Sequence, residues 1–162
     1  MRHIHILGIL SVLTIWQCAA AAAQDHVATD KHGASVMGFD QGRTTHRFSL
    51  FRDGGQIEVS VNDPSDVKNR NAIRSHLPHI ATMFGEGNFD APMLVHDSSN
   101  VPGTKLMGSR KLHIRYEYVE TPRGGRVNIV TTDPDALEAV HQFLRFQIKE
   151  HRTGDSTAVQ SR

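Results

Sequence analysis

"DGGQIEVSVNDP" (residues 53–64) and "RGGRVNIVTTDP" (residues 123–134) are the two stretches that decide the fold. Each contains a glycine pair, an alternating apolar segment and an Asp-Pro pair, and equivalent positions are 70 residues apart. An alternating segment also precedes each glycine pair, and this arrangement predicts a β-hairpin. The Asp-Pro pair is typical of a helix N-cap followed by the first helical residue. Each half of the chain is therefore predicted to form two strands and a helix.

The flanking segments agree with a duplicated ββα unit. In "TTHRFSLF" (44–51) His46, Phe48 and Leu50 alternate on one face, and "KLHIRYEYV" (111–119) alternates in the same way from Leu112. The first helix has an apolar stripe through Ile73, Leu77, Ile80 and Phe84. We predict an α+β two-layer sandwich, in which tandem ββα repeats form a four-stranded antiparallel sheet with two helices on one face. The chain is expected to be a monomer or a homodimer joined through a sheet edge.

The N-terminus predicts export. It reads "MRHIHILGILSVLTIWQCAAAAAQ", with Arg2 before a short apolar run and small residues at the end. This pattern indicates a signal peptide over residues 1–23, which is too short to span a membrane. We then predict a flexible N-terminal segment (24–36), a single α+β domain (37–155) and a disordered tail (156–162). The expected location is the periplasm or the exterior, with no membrane association after cleavage.

The composition of the mature chain excludes several classes of function. Cleavage would remove Arg2 and the only cysteine, Cys18, and leave 17 basic against 17 acidic residues. Without cysteine there is no disulfide, thiol chemistry or cysteine-based zinc site. No basic block suggests nucleic-acid binding. The notable feature is histidine, because nine histidines remain together with four methionines.

The element pattern assigns a direction to several of these histidines. His46 alternates with apolar residues and is expected to face the helices. His141 lies within the apolar stripe of the last helix, and His151 lies at its end. In the first helix His76 lies beside the stripe, whereas His79, three residues later, points toward the exposed side.

These directions suggest a metal site at the seam between helices and sheet. The central candidates are His46, His76 and His141, joined by His96 from the connector at 85–110. The remaining candidates are two possible thioether ligands and two further histidines: Met37, Met83, His79 and His151. Imidazole suits copper, zinc and nickel, and thioether favours Cu(I), so copper is the favoured cofactor. A separate N-terminal site is expected if cleavage exposes Gln24-Asp25-His26, whose nitrogens suit square-planar Cu(II) or Ni(II).

Two other readings of the histidines stay open. In the second reading each buried imidazole has its own hydrogen-bond partner in the core, and the protein is a metal-free periplasmic interaction module with structural or pH-responsive histidines. The third reading is a small enzyme using a histidine with Asp40 or Asp97, although no nucleophile elbow, P-loop or dinucleotide motif is present. The expected partner is a metal ion or an unidentified periplasmic protein.

Several segments also resemble a family of small exported bacterial proteins. The resemblance covers residues 35–155 and rests on the words "VMGFDQ", "TTHRF", "DGGQIEVSVNDP", "IRSHLPHIATMF", "NFDAPMLVH", "VPG" and "HQFLRFQIKEHRTGD". Some members carry a carbamoyltransferase label. This chain is too short for that fold and lacks its Ser-Thr-Arg-Thr phosphate loop, so the resemblance implies no activity, substrate or ligand set.

Overall fold

The protein is described by a computed structural model over residues 36–162. The predicted signal peptide, residues 24–35 of the flexible segment and His26 lie outside the described residues. Those predictions are therefore untested.

The described chain forms one four-stranded sheet, four α-helices and two single-turn 3-10 helices (Gln41–Arg43 and Lys111–His113). The strands are β1 (Thr44–Phe51), β2 (Gly54–Val61), β3 (Ile114–Thr121) and β4 (Gly124–Thr131). The helices are α1 (Val67–Gly85), α2 (Asp90–Val95), α3 (Thr104–Ser109) and α4 (Pro134–Glu150). The sheet order is β1-β2-β4-β3 and every neighbouring pair is antiparallel. The predicted α+β fold is confirmed.

The two repeats meet at the centre of the sheet in a symmetrical way. Ile57 of β2 lies opposite Val127 of β4, while Gly55 lies opposite Ile129 and Val59 opposite Gly125. Residues 55, 57 and 59 of β2 correspond to residues 125, 127 and 129 of β4, so the pairing is the same when viewed from either repeat. The helices are crossed with respect to this pairing: α1 packs mainly on β3 and β4, and α4 packs mainly on β1 and β2. Each helix thus covers the hairpin of the other repeat.

The second glycine of each pair allows this close helix packing. A Cβ on Gly55 would overlap the Leu144 side chain of α4, and a Cβ on Gly125 would lie 3.2 Å from Leu77 Cδ1 of α1 and 2.7 Å from Tyr118 Cε2. The glycine pairs begin the returning strands, and the turns themselves are the two residues before each pair. The duplicated glycines therefore mark the points where a helix approaches the sheet.

The start of α1 differs from the sequence prediction. Asp66, and not Asp63, is the N-cap, because its carboxylate accepts hydrogen bonds from Asn69 N (3.1 Å) and Arg43 Nε (2.8 Å). The Asp63 carboxylate instead accepts from Ser65 N in a turn before the helix. Relative to the repeat at Asp133, which does cap α4, the first repeat has three extra residues between strand and helix.

This difference predicts unequal effects for the two aspartates. Replacing Asp66 with alanine removes the acceptor for the first helical N–H groups and for Arg43, so the midpoint of thermal unfolding should fall by several degrees. Asp63→Ala should change it little, since only an exposed turn is affected. Circular dichroism melts of both variants would measure this, and a larger loss for Asp63→Ala would contradict the assigned cap.

The region between the repeats departs from the sequence expectation at Leu112. The alternation predicted an inward Leu112, but this residue lies in a 3-10 turn (Lys111–His113) before β3 and is 92% exposed. The connector itself forms α2 and α3, and α3 packs on the outer side of α4. Gly103, with φ 82°, begins α3 where a Cβ would overlap the carbonyl of Ala139. The connector therefore buries α4 on a second side.

The C-terminal residues lie along β1. The Asp155 carboxylate accepts from Phe48 N (2.9 Å), and Gln160 N donates to Leu50 O (2.8 Å). A disordered tail is predicted for residues 156–162, whereas here the tail occupies part of the β1 edge and its Arg162 pairs with Asp53. Within residues 36–162, no helix combines the length and apolarity needed to cross a membrane.

Candidate functional site

A small cavity lies between the sheet, α1, the end of α4 and the connector. Its volume is about 70 Å³, which exceeds the space that one water molecule needs. Most of its wall is apolar, and its polar lining consists of four histidines and one glutamine. The full lining is Met37, Phe39, His46, Phe48, Ile57, Val59, His76, Leu77, Ile80, Phe84, Ala91, Pro92, Val95, His96, Phe143, Gln147 and His151. We refer to it as the histidine cavity.

Three of the four imidazoles form one cluster of ring contacts, in which His46 and His96 both pack against His151. The ring centroids of His46 and His151 are 5.3 Å apart with nearly parallel planes, and those of His96 and His151 are 5.0 Å apart with planes at 77°. The fourth, His76, contacts the same Phe39 ring as His46, with ring centroids 5.8 Å apart for His76 and 5.9 Å apart for His46. The structure thus brings His46, His76, His96 and His151 to one cavity.

The four histidines are positioned by a strand, by the middle of a helix and by the ends of two helices. His46 faces inward by strand alternation, opposite Val59 in the β1–β2 pairing. His76 lies in the middle of α1, while His96 and His151 are the C-caps of α2 and α4.

The chain turns sharply directly after both C-cap histidines. Asp97 and Arg152 have φ of 44° and 48°, and they are the only non-glycine residues with positive φ in the described part of the chain. Such left-handed conformations are strained for non-glycine residues and are enriched at functional sites. The strain is located at the two helix ends that bring His96 and His151 to the cavity.

The cavity favours neutral imidazoles. Burial, with a smaller contribution from the neighbouring His76, lowers the pKa of His46 to about 4. Burial, followed by the effect of His79, lowers the pKa of His76 to about 4. Burial also lowers the pKa of His96, although the hydrogen bond to Gln147 and the charge of Glu150 oppose the shift. At neutral pH these rings therefore keep a free nitrogen lone pair, which metal binding requires.

Gln147 is a site residue that the sequence reasoning missed. It is only 4% exposed, and its Oε1 lies 3.1 Å from His96 Nε2. Its Nε2 is buried without a hydrogen-bond partner in the described structure. A second buried row of α4 runs through Val140, Phe143 and Gln147 at helical spacing, and a polar residue in such a row was the signal available in the sequence. Gln147 therefore fixes the orientation of His96 through its amide oxygen, while its amide nitrogen is left without a partner.

His141 is not part of the cavity. Its Nε2 lies 2.9 Å from Phe51 O and 3.1 Å from Gly54 O, the carbonyls on either side of the β1–β2 turn. Because both partners are acceptors, Nε2 carries the proton and donates to them. His141 therefore joins α4 to the hairpin, and its place in the predicted histidine cluster is occupied by His151 and His96.

The other predicted ligands divide between cavity and surface. Met37 lines the cavity and its Sδ lies 3.9 Å from Gln41 Nε2. Met83 is half-buried against the core and does not line the cavity. His79 is exposed, as its helical angle predicts, in a groove on the outer side of α1. Neither Asp40 nor Asp97 lines the cavity.

The internal symmetry of the fold shows that histidines are not needed at these positions. In the second repeat Tyr116 lies opposite Ile129, as His46 lies opposite Val59 in the first. Phe84 of α1 packs on Tyr116 (5.8 Å) in the place where His151 of α4 packs on His46. The fold therefore accommodates an ordinary aromatic pair at the equivalent position, and the polar cluster is confined to one side.

The imidazole nitrogens of these four histidines do not converge on one point in this structure. In the chain from Val36 to Arg162, no group of three His, Cys, Asp or Glu side chains has a geometry that could hold a metal ion. The parallel planes of His46 and His151 are consistent with this, because their in-plane lone pairs cannot both point into the gap between the rings.

Comparison of the chain with family models, with curated proteins and with solved structures gives no match.

Proposed function

We propose that this protein is an exported, periplasmic metal-binding protein that holds a soft metal ion in the histidine cavity, with copper as the favoured metal. The observation that carries the proposal is the set of four imidazoles around one apolar-walled cavity. The lowered pKa values of His46, His76 and His96 keep these rings unprotonated at neutral pH. Export is supported by the signal-peptide pattern of the sequence.

The distances between the imidazole rings are suitable for binding one metal ion if the rings rotate modestly. With metal–nitrogen bonds of about 2 Å, two imidazoles on one tetrahedral ion have centroids about 5 Å apart. The His46–His151 and His96–His151 separations of 5.3 and 5.0 Å are in this range. Binding would require rotation of the His46 or His151 ring, so that their nitrogens meet at a common point. His46, His151 and His96 are the proposed central ligands, with His76 at the margin.

Copper is favoured over zinc by the remaining donors. Met37 contributes the thioether sulfur at the cavity, and thioether with imidazole selects Cu(I) among the common metals. No carboxylate lines the cavity, and the single amide oxygen of Gln147 is far fewer than the six or more oxygen ligands that magnesium or calcium takes.

The test is a competitive Cu(I) titration of variants that keep the packing. His46→Phe and His151→Phe introduce the kind of side chain that the second repeat already has at the equivalent positions. Each should weaken Cu(I) binding by at least about ten-fold, because a ligand is lost while the aromatic packing stays. The measurement is the Kd against a chromogenic Cu(I) chelator under reducing conditions.

His113→Ala serves as the matched control, because this exposed histidine belongs to the turn before β3 and not to the cavity. Its Kd should equal that of the wild type. If the wild type fails to compete for Cu(I), or if both phenylalanine variants bind as tightly as the wild type, the proposal is wrong.

A second candidate function is a metal-free, pH-responsive interaction module for an unidentified periplasmic protein. The observation that favours it is the pair of strongly lowered pKa values at His46 and His76, because protonation of either ring would disturb the packing. Acid-dependent partner binding by a protein that does not bind Cu(I) would support this module over the metal site.

A further inference from the structure

A second, shallower depression lies on the outer side of α1, next to the histidine cavity. We call it the outer groove, and its donor side chains are Met37, His76 and His79. Met37 and His76 also line the histidine cavity. These two side chains therefore form a shared wall between the solvent-facing groove and the interior.

His76 is coupled to histidines on both sides of this wall. Its imidazole interacts electrostatically with His46 inside the cavity and with His79 on the exposed face of α1. His79 follows His76 by three residues, so both rings lie on neighbouring positions of one helical surface. Pro78 between them lies within the continuous helix, which keeps this spacing.

We propose that the outer groove captures Cu(I) and passes it to the histidine cavity by ligand exchange. The inference rests on the proposed copper function. His79, His76 and Met37 bind the ion first; the bond to His79 then breaks as a bond to His46 or His151 forms. His76 and Met37 keep their bonds during the exchange, so the ion is never released to solvent. The copper stays Cu(I) and only dative bonds change: the bond from copper to the His79 nitrogen breaks as a bond to the inner imidazole nitrogen forms.

The arrangement offers a stepwise route into the apolar side of the cavity. The inner rings lie among apolar side chains such as Phe39, Phe48 and Val95, while His46 and His151 also border a separate polar depression beside Thr44 and Thr153. An exposed imidazole beside a shared thioether replaces the ligands of the incoming ion one at a time. His79 therefore affects the rate of copper transfer, whereas His46 and His151 determine the affinity of the final complex.

The experiment separates rate from affinity. Cu(I) is presented as its bicinchoninate complex to the full-length protein in stopped flow, and the Kd is measured separately at equilibrium. His79→Ala should lower the transfer rate by about ten-fold while the Kd changes less than about two-fold, because a ligand that is used only in passing alters the rates of association and dissociation by the same factor. Met37→Leu, which preserves the side-chain volume, should affect both quantities. His113→Ala should affect neither.

Each alternative outcome has a distinct meaning. An unchanged transfer rate in His79→Ala, with normal Kd, would overturn the capture role and leave the proposed copper site standing. A Kd raised as much as the rate is lowered would make His79 a ligand of the final complex, which also overturns the transfer. If the wild type does not remove Cu(I) from bicinchoninate at any concentration, both the transfer and the proposed copper function are wrong.

Discussion

Acidification of the metal-free protein from pH 7 to pH 4 should reduce its free energy of unfolding by about 4 kcal/mol through the cavity histidines. The pKa values of His46 and His76 are about 4 in the folded state, against 6.5 in the unfolded chain. Above pH 6.5 both states are neutral and neither ring affects stability. Between pH 6.5 and 4 only the unfolded chain binds the protons, so unfolding becomes progressively more favourable. Stability is lost in that window as the pH falls.

The size of this stability loss follows from the linkage between proton binding and unfolding. Each pKa unit corresponds to about 1.4 kcal/mol, so each ring alone would account for about 3 kcal/mol. Both rings retain some contact with water, and they also interact with one another, so the sum is smaller than two independent contributions. The other titratable side chains around this cluster are His151, His79 and Glu150.

Urea unfolding at pH 7.5, 6.0, 5.0 and 4.3 in the presence of a metal chelator would measure the effect. His46→Phe should flatten the dependence between pH 6.5 and 4.5, because one proton-binding site of the unfolded chain is lost. His113→Ala provides the comparison on an exposed histidine. A His46→Phe curve parallel to that of the wild type over this range would contradict the assigned pKa.

Replacement of His141 with alanine should cost about 3–4 kcal/mol of folding stability at neutral pH. The substitution leaves the carbonyls of Phe51 and Gly54 without their donor and opens a void between α4 and the β1–β2 hairpin. His141→Gln can place an amide N–H near the same carbonyls and should lose less, about 1–3 kcal/mol. The order of the two variants tests whether hydrogen bonding to the turn is the function of this side chain.

The measurement is chemical denaturation of both variants beside Gln142→Ala, an exposed neighbour on the same helix that should stay within about 0.5 kcal/mol of the wild type. Added Cu(I) should raise the melting temperature of His141→Gln as much as that of the wild type, since His141 does not line the cavity. A loss of the copper-induced shift in His141→Gln would return His141 to the metal site.

The fold could be predicted because its determinants are local and occur twice. Alternation, a turn before a glycine pair and an Asp-capped helix predict the same unit in each half, and sheet and helices follow from burying the apolar faces. The prediction failed at Asp63 and Leu112, both at junctions between elements. Tertiary packing sets where an element begins at such junctions, and sequence periodicity does not report it.

The site could be predicted only in part for the same physical reason. Strand alternation gave the direction of His46, and helical spacing gave those of His76, His79 and His151. His141 has the same apolar spacing as a cavity residue, but its hydrogen-bond acceptors are 87 and 90 residues earlier in the chain. The position of His96 depends on how α2 folds over the cavity. Gln147 lies in a second buried row of α4, which the apolar stripe of that helix does not reveal.

The crossed packing of the helices has a consequence for how the chain folds. Neither repeat covers its own hairpin, because α1 packs mainly on β3 and β4 while α4 packs mainly on β1 and β2. A half-synthesised chain would therefore leave the stripe from Ile73 to Phe84 without its docking surface until the second hairpin is made. Contacts between distant segments must form together, which favours slow, all-or-none folding. The two halves should behave as a single cooperative unit, and cleavage within the connector should yield fragments that are held to each other by the exchanged helices.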